Sequence, residues 1–124
     1  MNTTVNDIAT QIVMIPRARH IRDMSIFGLL KETGYFELHD QVSEGDIRNA
    51  LACNPECVQE WFQYCEDKRT SSGWYITLND EGLYETGYFD IAAPNDINRV
   101  QYENAIDACA AFIKHEIESI RSGK

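Results

Sequence analysis

Proline and glycine are scarce, at three and seven of 124 residues, which excludes collagen-like and Pro/Gly-rich disordered chains. The four cysteines, Cys53, Cys57, Cys65 and Cys109, contain no C-x-x-C pair, and His20, His39 and His115 are scattered without metal-ligand spacing. Cys65 and Cys109 fall on apolar helical stripes, where a thiol behaves as a small hydrophobe, so neither a metal nor a cofactor is expected. No run approaches the roughly 18 consecutive apolar residues of a spanning helix. The opening MNTTVNDIATQIVMIPRARH has no basic stretch ahead of its apolar residues, unlike a secretory signal, and a cytoplasmic protein is the expectation. Basic residues are few as well. Eleven Lys and Arg stand against twenty Asp and Glu, a net charge of −9, which repels phosphate backbones and anionic head groups. G-x-S-x-G, H-E-x-x-H, P-loop and G-x-G-x-x-G signatures are all missing, so no enzymatic activity is expected.

What remains is a chain with 44% hydrophobic residues, long enough to bury roughly 65–70% of its unfolded surface in one compact domain. The pattern reads as α+β, with about four helices packed against a short antiparallel β-hairpin. Residues 1–24 read as an N-terminal arm or short helix, and 25–124 as a single domain. In the arm, Ile8, Ile12 and Ile15 share one side of a helix over 7–15, which Pro16 ends. From Ser25, a helix cap, apolar Ile26, Phe27, Leu29 and Leu30 run to a stop at Gly34, and residues 35–38 read as extended. Ser43 and Asp46 match a capping box, opening a helix that buries Ile47, Ala50 and Leu51.

Asn54 and Pro55 then read as the N-cap and first position of the clearest helix. Val58, Trp61, Phe62 and Cys65 lie on one stripe of it, and Lys68 and Arg69 close its last turn. Residues 73–78 alternate as a strand, 79–82 form a turn, and 83–89 return as its partner. A loop at 94–96 leads to a final helix over about 101–122. The run 32–38 (ETGYFEL) nearly recurs at 85–91 (ETGYFDI), but the flanks do not match, so no structural repeat is expected.

Charge is segregated along the chain. Residues 1–31 hold four basic and two acidic residues, 32–96 hold three basic and fourteen acidic, and 97–124 hold four of each. The acidic centre also carries Tyr64, Tyr75, Tyr84 and Tyr88. Tyrosines among carboxylates suit an interface with a basic protein: charge speeds encounter and the rings supply contact area. The candidate contact residues are Tyr75, Asp80, Glu81, Tyr84, Glu85 and Asp90 on the hairpin, with Glu60, Gln63 and Glu66 on the neighbouring helix.

The run VQEWFQYCEDKRTSSGWY (58–75) and the ending DACAAFIKHEI (107–117) resemble a family of small bacterial immunity proteins of polymorphic-toxin and contact-dependent growth-inhibition loci. The resemblance spans about residues 25–121, and Trp61, Gly73 and Trp74 within it read as structural positions. It implies a stoichiometric inhibitor that covers the active site of a cognate toxin domain, a basic nuclease, with carboxylates standing in for nucleic-acid phosphates. The alternative from the same pattern is a winged helix-turn-helix regulator, with residues 56–69 as the recognition helix. There the outward Glu56, Glu60, Glu66 and Asp67 oppose DNA binding.

Overall fold

Helix formation begins earlier than the stripe of Ile8, Ile12 and Ile15 indicated. The structure, a computed structural model, describes residues 5–67, 73–90, 92 and 98–123. Helix α1 (Val5–Val13) fully buries Ile8, Ala9, Ile12 and Val13, so the N-terminal segment is part of the core. The spacing i, i+1, i+4, i+5 makes a broad apolar face, and it packs on α5. Pro16 lies in the first turn of a second helix, α2 (Ile15–Arg22), instead of only ending the first. Proline suits that position because its missing N–H would have had no helical partner. The carbonyl of Val13, left at the end of α1, accepts the indole N–H of the fully buried Trp61 at 3.0 Å.

Ser25 caps α3 (Ile26–Glu32) as expected, its Oγ accepting from the Gly28 amide at 3.1 Å. Gly34 stops that helix with a φ of +88°, but residues 35–38 then form one helical turn, α4 (Tyr35–Leu38), instead of an extended piece. Thr33 directs this, its hydroxyl donating to the Leu30 carbonyl at 2.6 Å and accepting the Tyr35 amide at 3.1 Å. The turn delivers the Tyr35 ring into the core. The capping box of α5 (Glu44–Cys53) forms as read: Ser43 Oγ accepts from the Asp46 amide at 3.1 Å and Asp46 accepts from the Ser43 amide at 2.9 Å. Asn54 does not cap forward. Its side-chain amide donates back to the Ala50 carbonyl at 2.9 Å, closing α5 before α6 (Glu56–Asp67) begins. Lys68 and Arg69, expected to close α6, and the loop at 94–96 lie outside the described residues.

The expected hairpin is present as β1 (Gly73–Leu78) and β2 (Tyr84–Phe89). In its turn Asn79 Oδ1 accepts from the amides of Glu81 and Leu83, and Gly82 adopts a φ of +81°. A third strand, β3 (Asn98–Tyr102), pairs antiparallel with β2, giving the order β1-β2-β3. The final helix therefore starts later than expected, as α7 (Ala105–Ser122), with Asn104 Oδ1 accepting the Asp107 amide at 2.8 Å. An asparagine that captures an amide three residues on favours a helix start over a helix interior. The architecture is α+β, with seven helices and a three-stranded antiparallel sheet among the described residues.

Helix α7 is the centre of the molecule, packed against α5 on one side and against the sheet and α6 on others. Ala108, Ala110 and Ala111 let these neighbours approach closely, while Phe112 meets Trp61 edge-on at 6.1 Å. The two near-identical heptapeptides adopt different structures, helix end and turn at 32–38 against strand at 85–89. Tyr35 is fully buried while Tyr88 is 37% exposed, so tertiary packing decides the conformation of identical local sequence.

At the far end of α7, Lys114 Nζ donates to the carbonyls of His39 (3.3 Å) and Val42 (2.6 Å) and to the Tyr35 hydroxyl (3.0 Å). Tyr35 donates in turn to Glu118, which Arg121 grips through two bonds at 2.9 and 3.2 Å. The Arg121 bond, with that of Tyr35 and the nearby Lys114 charge, holds the Glu118 carboxyl down at about 2. A carboxyl lowered on folding contributes stability that is complete above its unfolded value, about 4.3, and is lost as pH falls through its folded one. Between pH 5 and 2, Glu118→Gln should therefore show a shallower fall in chemical-denaturation stability than the parent protein. Parallel curves would contradict the role given to this carboxylate.

Candidate functional site

The nine residues expected to form one contact surface fall in separate settings. On α6, Glu60 is claimed by Arg17 of α2 through two bonds at 3.0 and 3.1 Å, with Glu56 3.8 Å from the same guanidinium. Gln63 and Glu66 are exposed. On the sheet, Glu85 is only 8% exposed, accepts the Tyr75 hydroxyl at 2.7 Å and lies 3.9 Å from Arg99. The register sets Tyr75 opposite Gly87, which leaves room for the ring beside a residue without a side chain. Burial and the Glu85 carboxylate push the Tyr75 phenol above its ordinary range. Removing Tyr75 would leave Glu85 short of a donor, at a cost of about 1–3 kcal/mol, so both residues hold the sheet together.

Asp80 and Glu81 are exposed in the β1–β2 turn. Asp90 lies past the opposite end of β2, roughly 20 Å away along the strand, where it accepts the Ala92 amide at 2.9 Å. At the turn end, Tyr84 is half-buried and meets Phe62 of α6 edge-on at 6.0 Å. Its partner in register is Tyr102 of β3, followed by exposed Glu103, and Leu78 beside it is 56% exposed. Glu44 at the start of α5 adds to burial in raising the Tyr102 phenol, so it too borders this end. The structure thus assembles Asp80, Glu81 and Tyr84 with Leu78, Tyr102 and Glu103, three residues that sequence reasoning missed. The alternation of Val100 and Tyr102 was the available signal, hidden because the helix was read as starting at about residue 101.

A second feature had no sequence signature. A cleft of about 720 Å³ opens between the α2–α3 corner and α6. One wall comes from Pro16, Arg19, His20, Asp23, Met24 and Ser25; Gln59, Glu60, Gln63 and Tyr64 supply the other. The Tyr64 ring is 8% exposed, and its hydroxyl donates to the buried Glu116 carboxylate. The Arg19 guanidinium stands 5.8 Å from the centre of that ring.

Of the thiols, Cys57, Cys65 and Cys109 are buried and Cys53 is exposed. Burial, with the Glu60 carboxylate nearby, pushes Cys57 up to about 11, and burial raises Cys109 as well. Cys65 Sγ accepts the Ile76 amide at 3.4 Å. Among the described residues, no group of three or more His, Cys, Asp or Glu is placed to hold a metal ion, and no helix is long and apolar enough to cross a membrane. Compared with protein-family models, curated proteins and solved structures, the chain matches none. Titration of the native protein with a thiol-reactive dye should label one cysteine rapidly and the other three only on unfolding. Replacing Cys53 by serine should abolish the fast phase, and a surviving fast phase would contradict the burial described.

Proposed function

We propose that this protein is a non-enzymatic inhibitor that binds a cationic toxin domain and covers its active site, protecting the cell in whose cytoplasm it resides. The observation that carries this reading is the turn end of the sheet. There the exposed carboxylates of Asp80, Glu81 and Glu103 surround Leu78, Tyr84 and Tyr102. Much of the remaining acidity is engaged within the molecule: Glu60 by Arg17, Glu32 by Arg22, Asp107 by Arg48, and Glu118 by Arg121. Exposed ion pairs of this kind add at most about 1 kcal/mol each to stability, but they remove charge from any outside partner. Charge left at the turn end is available to steer a basic protein, and the half-buried Tyr84 ring held by Phe62 offers an anchor of low entropic cost. The resemblance of 58–75 and 107–117 to immunity proteins supplies the kind of partner.

The test is whether the gene upstream of this one encodes an effector ending in a basic toxin domain, and whether this protein binds that domain. Asp80→Lys combined with Glu81→Lys should weaken binding at low salt by tenfold or more, a loss of at least about 1.4 kcal/mol. Because both positions are exposed in a turn, stability should change by less than about 0.5 kcal/mol. Undiminished binding by that variant, or binding of duplex DNA by the parent protein at about 0.1 M salt, would contradict the proposal.

A further inference from the structure

The cleft between the α2–α3 corner and α6 holds opposite charges that do not pair with each other. Arg19 stands in the last turn of α2, Asp23 is the cap that ends it, and both line the cleft. Among the described residues, neither makes an ion pair. Arg19 has turned onto the Tyr64 ring instead, leaving its planar fork of donors unused. Asp23 is the one non-glycine residue with positive φ among the described residues (+53°), at the left-handed cap that ends α2. Aspartate tolerates this conformation, and the cap places its residue at the cleft wall.

The other carboxylate of the cleft, Glu60, is already neutralised by the two bonds from Arg17. One cation and one anion are therefore left facing the same space, together with the Gln59 amide and the apolar surfaces of Met24 and Pro16. The Tyr64 floor is fixed from beneath by Glu116, while Arg19 and Asp23 stand exposed at the mouth. Its volume lies within the range of about 300–1,000 Å³ usual for small-molecule sites.

From these features we infer that the cleft binds a zwitterionic α-amino acid with an apolar side chain. Its carboxylate meets the Arg19 fork, its ammonium meets Asp23, and its side chain lies on Met24 and Pro16. Fork-to-carboxylate contacts are bidentate and charge-assisted, and the cleft presents the Asp23 carboxylate as well as the Arg19 fork. This site is separate from the acidic turn end of the sheet and does not depend on the inhibitor reading.

The test is a backbone-amide NMR titration of the full chain with L-leucine, N-acetyl-L-leucine and L-leucinamide. L-leucine should give saturable shifts confined to α2, the start of α3 and α6. The two blocked forms, each lacking one charge, should bind about tenfold more weakly or worse. Arg19→Gln and Asp23→Asn should each weaken L-leucine binding by a similar factor, and asparagine keeps the left-handed backbone at position 23 accessible. The unchanged remainder of each variant's spectrum reports that it folds. Absence of saturable shifts with L-leucine, equal affinity for the blocked forms, or full binding by Arg19→Gln would each overturn the inference.

Discussion

The burial of α7 on nearly every side is the constraint on which the rest of the structure depends. Ala108 through Ile113, together with Glu116 and Ile117, are all buried, so elements must cover the helix from several directions at once. Helix α5 takes one side and is itself backed by α1, while the sheet and α6 take others. Small side chains along α7 permit that closeness, and large ones, Phe112 on the helix and Trp61 and Tyr35 around it, fill the gaps left between. The N-terminal helices belong to this arrangement because Trp61 requires both their apolar face and the Val13 carbonyl.

A second consequence concerns charge. A chain with nine more carboxylates than cations cannot neutralise all of them, and the fold determines which are engaged and which stay exposed. Two are drawn into the interior and satisfied by phenols, Glu116 by Tyr64 and Glu85 by Tyr75. Several others are matched by arginines close at hand. Those in the β1–β2 turn and just after β3 stay exposed, because connecting segments run over the surface and keep their polar groups solvated. The same selection leaves Arg19 and Asp23 facing a cleft.

Much of this could be read before any coordinates. The capping box at Ser43 and Asp46, the cap at Ser25, the apolar stripe of α6 and the Asn79–Gly82 turn are local signals, and each formed as its chemistry requires. The misreadings come from local side-chain bonds that the pattern did not weigh and from long-range packing. Tyr35 and Phe36 carry strand-forming rings but enter a helical turn because Thr33 and Lys114 capture the backbone around them. Residues 98–102 pair with β2, a partnership that periodicity within so short a segment does not reveal. The candidate surface was half legible: the acidic turn was found, but Glu85 and Glu60, equally acidic in sequence, are committed inside the molecule. The cleft was not legible at all, since its walls come from segments about forty residues apart.

The central claim is that exposed negative charge at the turn end of the sheet guides this protein to a cationic partner. It is tested most directly by the salt dependence of the association rate with a cationic toxin domain that the protein binds. The rate should fall steeply as ionic strength rises through the physiological range, while the dissociation rate changes little. An association rate independent of salt would contradict the account.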